Sequence, residues 1–352
     1  MNHQGINSPL RSVGPSISVA MATYNGARFL AEQLESIAQQ TTLPHELVIS
    51  DDGSTDNTLE IVKRFAVSAP FEVRILDKKS RLGFADNFLF AAENCVGEVI
   101  MFSDQDDVWL PSKLEVGLAR ILADESLLSM HQLTMTNRDL YPGERWNQGI
   151  ESDRTFEPLE LDPWSGWGNT MMFRRELAAM VPRQERPRHP EAHRLLSHDT
   201  WLYVLAAALG RISHIAQPLI LYRQHDDNAC GMLMPGWRGR LRIMMTVPLE
   251  GYRERDLFFG ALADIFDSLA KRTTGVYSDR ANAAAARYRE RGLRARRRLL
   301  VHEEATIARR ICAFVNLYRS PNPDMAPVQS RLLSAAKDFA LGVLALGSHS
   351  HP

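Results

Sequence analysis

The sequence has few cysteines, no long apolar segment and no excess of charge of either sign. Among 352 residues only Cys95, Cys230 and Cys312 carry a thiol, and they are too few and too far apart for a disulfide framework or a zinc site. We therefore expect a reducing compartment. No run of about 18 apolar residues is present, so no transmembrane helix is predicted. The polar start of the chain has no apolar core of signal-peptide length.

Charge and motif content exclude several further classes of protein. Lys and Arg total 41 and Asp and Glu total 42, a balance that argues against a nucleic-acid partner. The 45% of apolar and 24% of charged residues are ordinary globular values, which excludes a disordered or collagen-like chain. The G-x-G-x-x-G fingerprint and the P-loop are missing, which disfavours a dehydrogenase.

Strands and helices alternate along the first hundred residues. Short apolar runs predict strands, and apolar residues at helical spacing between them predict helices. The predicted strands are 16–22, 46–50, 73–76 and 99–103. Strands separated by helices imply right-handed crossovers and a parallel sheet. Further along, we predict helices at 113–122 and 200–209 and a strand at 215–222.

Polar and mostly acidic clusters follow three of these strands. They are Thr23-Tyr24-Asn25, Asp51-Asp52-Gly53-Ser54 and Asp104-Gln105-Asp106-Asp107. In such folds, ligands bind outside the carboxyl ends of the strands. We therefore expect the three clusters to form one site.

Each candidate for chemistry also has a purely structural interpretation. Asp104, Asp106 and Asp107 would repel one another when buried, and a bound Mn²⁺ or Mg²⁺ would relieve this; the alternative is a solvated acidic turn. His225 follows the predicted strand 215–222 and is either structural or a ligand for a metal or a phosphate. Asp199 precedes an apolar helix and is either its N-cap or a general base.

The chain from about residue 236 onward is predicted to be helical and rich in Arg. Seven Arg and one acidic residue, Glu290, lie between positions 287 and 298. This run is either a solvated face or a surface for anionic lipid headgroups. We expect three regions: a tail at 1–15, a catalytic domain at 16–235 and a helical region at 236–352.

The order of these segments resembles the inverting glycosyltransferase family 2, which has the GT-A fold. The matching segments are 18–25, 50–56 and 103–109, followed by Pro111 and Lys113. His198-Asp199 and Arg223-Gln224-His225 are similar to a bacterial subgroup that includes rhamnosyltransferases. The resemblance implies an α/β fold of GT-A type: a Rossmann-like, mostly parallel sheet flanked by helices, with a C-terminal helical extension.

The resemblance also implies a role for each site residue. Asp104 and Asp106 match the family's D-x-D motif, in which the first acid faces the ribose and the second binds the metal, so Asp106 would be a metal ligand. His225, after the predicted strand 215–222, is expected to be a second metal ligand. Asp199 matches the catalytic base, although His198 stands where many members have Glu. The residues expected to hold the nucleotide sugar are Thr23, Tyr24, Asn25, Asp51, Asp52, Arg81 and Asp104.

The implied function is metal-dependent transfer of a sugar with inversion. The donor would be a nucleoside-diphosphate sugar, dTDP-rhamnose by analogy, and the acceptor a glycan or lipid-linked hydroxyl in surface polysaccharide synthesis. The expected location is cytoplasmic, with peripheral contact on the inner membrane surface as a further option. Two alternatives stay open: a haloacid-dehalogenase-type phosphatase with Asp104 as nucleophile, and a non-catalytic sugar-nucleotide-binding module.

Overall fold

The computed structural model describes residues 14–78, 80–146, 148–162, 166–189, 194–226, 249–319 and 328–344. The chain forms two compact units. Unit 1 contains the chain up to Arg154, together with Gly166–Ala179 and Ser213–Arg223. Unit 2 contains Thr155–Ser165, Met180–Ile212 and the residues from Gln224 onward. The expected division at residues 15 and 235 stays a prediction.

Unit 1 begins with four parallel strands that are joined by helices. The strands are β1 (Ile17–Thr23), β2 (Glu46–Asp51), β3 (Glu72–Ile75) and β4 (Val99–Ser103). The helices are α1 (Leu30–Ala38), α2 (Thr58–Ser68) and α3 (Phe84–Glu93). Their order in the sheet is β3-β2-β1-β4, with every pair parallel. The strands and helices predicted from the apolar pattern are confirmed.

The sheet continues beyond β4 with shorter and mostly antiparallel pairings, in the order β4-β9-β6-β10-β5. These strands are β5 (Val108–Trp109), β6 (Leu128–Thr136), β7 (Pro142–Trp146), β8 (Arg154–Phe156), β9 (Met171–Arg174) and β10 (Ile212–Arg223). Helices α4 (Lys113–Ala123) and α5 (Arg175–Ala179) accompany them. β9 runs antiparallel to both β4 and β6.

The core of unit 1 lies between the central strands and α1. Val19, Met21 and Ile49 from the strands pack in one buried cluster with Leu34 and Ile37 of α1. All five side chains are inaccessible to solvent. Burial of such apolar area is the main stabilising term of folding, at roughly 25 cal/mol per Å². The carboxyl ends of β1, β2 and β4 are thereby held as one rigid edge.

Unit 2 is helical over most of its described residues. Its helices are α6 (His198–Leu209), α7 (Leu249–Arg272), α8 (Val276–Glu303), α9 (Ile307–Arg319) and α10 (Val328–Lys337), followed by a π-helical turn at Asp338–Val343. The ring of Tyr288 in α8 stacks on Phe259 and Phe266 of α7, with centroids 6.1 and 5.5 Å away. Among the described residues, no helix is both long and apolar enough to span a membrane.

The Arg-rich run lies in α8, and most of its charge is compensated within unit 2. Arg289 pairs with Asp267, Arg291 with Asp162 and Arg298 with Asp338. Arg296 and Arg297 pair with Asp256 and Glu290. Apart from Glu290, these partners come from distant sequence positions, so the charge imbalance read from positions 287–298 overstates how basic the folded surface is. The interpretation of α8 as an anionic-lipid surface is therefore not supported.

Candidate functional site

The carboxylate of Asp51, the last residue of β2, organises the turn that follows it. Its Oδ2 accepts hydrogen bonds from the backbone N–H groups of Gly53 and Ser54 at 3.0 and 2.8 Å. Its Oδ1 accepts from Thr23 Oγ1 at the end of β1, at 2.8 Å. Gly53 has φ +84°, a left-handed conformation that strains other residues. Asp51 thus joins the ends of β1 and β2.

Asn25 connects the same two loops from the other side. It has φ 49°, in the left-handed region that Asn tolerates better than most residues. Its backbone N–H donates to Ser54 Oγ at 2.9 Å, and its Oδ1 accepts from the Thr55 N–H at 2.8 Å. Asp56 accepts the N–H of Ala27 at 3.0 Å, and that of Thr58 at the start of α2. Asp56 thus joins the β1 loop to the start of α2.

The carboxylate of Asp52 anchors a third loop, which leads into α3. It accepts hydrogen bonds from Lys78 Nζ at 2.7 Å and from the N–H groups of Leu82 and Gly83 at 2.7 and 2.9 Å. Burial opposes ionisation of Asp52, but these hydrogen bonds outweigh it and lower the pKa of the carboxyl. Asp52 is therefore an ionised anchor of this loop.

Arg81 and Tyr24 form an exposed pair above this anchor. The Arg81 guanidinium lies 3.9 Å from the centroid of the Tyr24 ring, a cation–π distance. Arg81 Nε also lies 3.4 Å from Asp52 Oδ2, and 61% of the Arg81 side chain is exposed. The pair thus presents a ring and a cation to solvent beside the β1 end, which suits a base and a phosphate.

Gln105 ties the β1 loop to the acidic turn after β4. Its amide accepts from the Tyr24 N–H at 3.0 Å and donates to the Tyr24 carbonyl at 3.1 Å. The contact is so close that a Cβ at Gly26 would lie 2.1 Å from Gln105 Oε1. Gly26 therefore allows the approach of the two loops. The three polar clusters do share one edge of the sheet, as we expected.

The acidic turn after β4 is held by Arg223, the last residue of β10. Arg223 Nε donates to the Asp106 carbonyl at 2.8 Å, and its backbone N–H donates to Asp107 Oδ1 at 3.1 Å. The guanidinium also pairs with Glu32 and lies 4.5 Å from the Phe29 ring centroid, both in or next to α1. Only 3% of Arg223 is exposed. Arg223 therefore fixes the backbone of the turn that carries Asp104 and Asp106.

Asp107 points away from solvent and belongs to a buried polar cluster. Its Oδ2 accepts from Asn169 Nδ2 at 2.7 Å, and the Asn169 carbonyl accepts from Lys113 Nζ at 2.6 Å. The Lys113 ammonium also lies 4.0 Å from the ring centroid of Trp109. Burial, followed by the charge of Asp106, raises the pKa of Asp107 to about 7, while burial lowers that of Lys113. Asp107 is a structural acid, unlike its half-buried neighbours Asp104 and Asp106.

The turn after β4 carries two half-buried carboxylates, Asp104 and Asp106, a ligand type that suits a hard cation. Among the described residues, no three His, Cys, Asp or Glu side chains converge as a ligand group. Mg²⁺ is commonly bound by one or two protein carboxylates, with substrate phosphates and waters completing its shell. Asp104 and Asp106 therefore fit a cation that arrives with a nucleoside diphosphate.

Asp199 lies in unit 2, in the first turn of α6. Its Oδ1 accepts from Ser197 Oγ and from the Thr200 N–H, the latter at 2.7 Å. It is half-buried and lies inside the first turn, and Ser197, not Asp199, occupies the N-cap position of α6. Next to it, burial lowers the pKa of His198 to about 4, so this imidazole is neutral at physiological pH. His225, two residues after β10, is half-buried and also belongs to unit 2.

Several residues that shape the site have no independent signal in the sequence. Lys78 and Asn169 were not expected to have a role, and Lys113 and Arg223 were noted only as parts of matching motifs. Hydrogen-bond partners of these residues lie as far as 191 positions away along the chain. An isolated Lys or Arg in a sequence looks like a surface residue, so only folding identifies these contacts.

The fold and the edge of polar turns define the class: the chain has the GT-A architecture of nucleotide-sugar-dependent glycosyltransferases. A solved structure of residues 1–349 of TarS from S. aureus, in complex with UDP-GlcNAc, superimposes with a TM-score of 0.54, covering 92% of this chain and 88% of that one. The two are 18% identical, so the likeness concerns the fold.

The chain belongs to glycosyltransferase family 2. The model of that family, "Glycosyl transferase family 2", matches residues 18–180. The dTDP-rhamnosyl transferase RfbG of Shigella flexneri is 30% identical over 254 residues, which cover 69% of this chain and 85% of RfbG. An uncharacterized glycosyltransferase of Nostoc is 31% identical over 218 residues, which cover 60% of this chain and 66% of that protein. The phosphatase alternative is not favoured by these matches.

Proposed function

We propose that the protein transfers a sugar from a nucleoside-diphosphate sugar to a hydroxyl group, with inversion at the anomeric carbon. The observation that carries the proposal is the joining of three strand-end loops by Asn25, Asp51 and Gln105. This arrangement gathers Tyr24, Arg81 and the D-x-D turn along one edge, as binding of one nucleotide requires. Family membership supports the same reaction class.

Each site residue has a proposed task in this reaction. Thr23, Tyr24 and Asn25 line the nucleotide site together with Arg81, and Asp51 and Asp52 support them and contact the base or ribose. Asp104 faces the ribose, and Asp106, with His225, holds Mn²⁺ or Mg²⁺. When bound, the cation supplies charge neutralisation for the departing diphosphate.

Asp199 is proposed to accept the proton of the acceptor hydroxyl, because it matches the position of the family's base. A single displacement then forms the new glycosidic bond on the opposite face of the sugar, and the nucleoside diphosphate leaves with the electron pair of the broken bond. No enzyme nucleophile is needed. His198, neutral because of its burial, places no second charge beside this carboxylate.

We further propose dTDP-rhamnose as the donor, since RfbG is a dTDP-rhamnosyl transferase. The proposed acceptor is a glycan or a lipid-linked glycan in bacterial surface polysaccharide synthesis. The proposed location is the cytoplasm, with peripheral contact at the inner membrane surface.

A thermal-shift screen followed by a transfer assay tests this function. The protein is heated with UDP-, GDP- and dTDP-linked sugars, with and without Mn²⁺. A ligand at 100 times its Kd stabilises the folded state by about 2.7 kcal/mol, so the true donor should raise the Tm clearly. Transfer to a lipid-linked glycan should then give the inverted linkage by NMR. The proposal fails if no sugar nucleotide raises the Tm, or if the anomeric configuration is retained; binding without turnover would favour the non-catalytic module.

A further inference from the structure

Helix α9 has apolar side chains on its inner face that complete the packing of unit 2. Leu317 is fully buried in a cluster with Val301 and Val343, and Phe314 packs against the same cluster. Arg310 secures this face by donating to the carbonyls of Glu304 and Gly342, at 2.6 and 3.2 Å. The fold of unit 2 therefore accounts for this side of the helix.

The outer face of α9 is also apolar, and it is exposed. Ile307, Ile311 and Val315 follow one another at intervals of four residues, and they are 63%, 43% and 41% exposed. Residues at this spacing form one stripe along a helix. Ala308 and Cys312, adjacent to the stripe, are exposed as well. A continuous stripe differs from the single exposed apolar residues that are normal on protein surfaces.

The charged side chains of α9 itself are all basic. The helix contains Arg309, Arg310 and Arg319 and no acidic residue. Arg309 and Arg319 are exposed. This differs from α8, where acidic partners from other segments compensate the arginines. An apolar stripe beside exposed Arg is the pattern of helices that lie in the interface of anionic bilayers.

We propose that the outer face of α9 is a docking surface for an anionic lipid bilayer. The stripe of Ile307, Ile311 and Val315 enters the boundary between headgroups and acyl chains. Arg319, one turn after Val315, contacts lipid phosphates, and Arg309 adds to the attraction between the helix and the anionic surface at longer range. This inference deepens the membrane contact included in the proposed function and assigns it to α9 instead of α8. Docking there would keep the enzyme at the surface where a lipid-linked acceptor is found.

Sedimentation of the full chain with vesicles tests the surface. Vesicles of phosphatidylcholine alone should bind weakly, and vesicles that also contain phosphatidylglycerol should bind well. The double variant Ile311→Ser and Val315→Ser should lower partitioning by about tenfold, because apolar area no longer leaves water on binding. The control is Leu257→Ser on α7, a residue 74% exposed outside the stripe, which should bind as the unmodified chain does. Equal binding by all three proteins would overturn the proposal.

Charge variants on the two helices test whether α9 or α8 binds the anionic bilayer. Each of Arg309→Gln and Arg319→Gln should lower binding to phosphatidylglycerol vesicles by about fivefold. Arg289→Gln removes the same charge from α8, where Asp267 compensates it, and should have little effect. A loss with Arg289→Gln that equals the loss with Arg309→Gln would contradict the assignment to α9.

A fluorophore at Cys312 reports the depth of the stripe directly. Burial raises the pKa of the Cys95 thiol to about 12, so Cys95 reacts poorly, and Cys230→Ser leaves Cys312 as the target. An environment-sensitive label should shift to the blue with anionic vesicles. If the blue shift instead appears without vesicles and grows with protein concentration, the stripe is covered by a second copy of the chain. That result would reject the bilayer as the occupant of this surface. Donor-induced Tm shifts in solution are independent of this surface, so failure of one proposal is distinguishable from failure of the other.

Discussion

Arg223 Nε donates to the carbonyl oxygen of Asp106 at 2.8 Å, so a side chain at the end of β10 positions the backbone of the D-x-D turn. The same guanidinium pairs with Glu32 of α1. The turn is thus connected to two elements far apart in the sequence. The geometry of the turn therefore depends on the buried guanidinium of Arg223, which does not itself need to contact a substrate.

Arg223 is expected to act as a positioning residue. Arg223→Gln removes the ion pair with Glu32 and shifts the Asp106 backbone, which should lower kcat/KM for the donor by about 10- to 100-fold, as is typical of residues that orient metal ligands. Arg223→Lys keeps the charge and should recover part of the activity. The apparent affinity for Mn²⁺ in the presence of nucleotide is measured alongside. Arg211→Gln, which breaks an exposed pair with Glu157, is the control and should change neither value.

Asp199→Asn tests the proposed general base. General-base catalysis contributes about 10²- to 10⁴-fold, so the turnover should fall by that factor while the donor still raises the Tm. Ser197→Ala is the matched variant, because it removes the hydroxyl donor to Asp199 without removing the carboxylate. It should lower stability slightly and preserve turnover. Full activity of Asp199→Asn would show that Asp199 only supports the start of α6.

His198 predicts how stability changes at mildly acidic pH. Burial lowers its pKa from 6.5 to about 4, so between these values the unfolded chain binds a proton that the folded chain does not. The contribution of His198 to the free energy of unfolding should therefore fall as the pH decreases from 6.5 to 4, by up to about 3 kcal/mol. His198→Gln should flatten that part of the profile. His214, whose pKa burial also lowers to about 4, leaves a residual slope. An unchanged slope in urea titrations would contradict this expectation.

Lys113 and Asp107 should be energetically coupled through Asn169. Removing one partner leaves the other buried without compensation, so Lys113→Met and Asp107→Asn should each destabilise the fold by about 3–5 kcal/mol. In a double-mutant cycle, the double variant should lose less stability than the two single variants lose together, and the difference should be about 0.5–3 kcal/mol. The pair Glu115→Gln and Lys113→Met serves as the control cycle. Glu115 lies on α4, as Lys113 does, and its exposed carboxylate accepts a hydrogen bond from the Thr41 hydroxyl. We expect that control pair to be additive.

The first half of the sheet could be predicted because its strands are short apolar runs between amphipathic helices. β6 and β9 were not predicted, since their sequences do not alternate. β6 contains His131 and Gln132 in the middle of a buried strand, where both are only 2% exposed. The Gln132 side chain is held by long-range contacts such as Nε2 to the Ile150 carbonyl at 2.5 Å. A strand of this kind becomes recognisable only when its hydrogen-bond partners are in place.

The local order of residues determined the alternation of strands and helices, the acidic turns at the strand ends and the family to which the chain belongs, because these depend on short-range spacing. The tertiary structure alone decided the surroundings of each acid. Asp51, Asp52 and Asp107 accept hydrogen bonds from backbone N–H groups, from Lys78 and from Asn169, whereas Asp104 and Asp106 stay half-buried at the edge. It also decided which arginines are compensated. Both outcomes rest on contacts between distant positions, and the energy of a charge depends on the partners and the solvent that folding assigns to it.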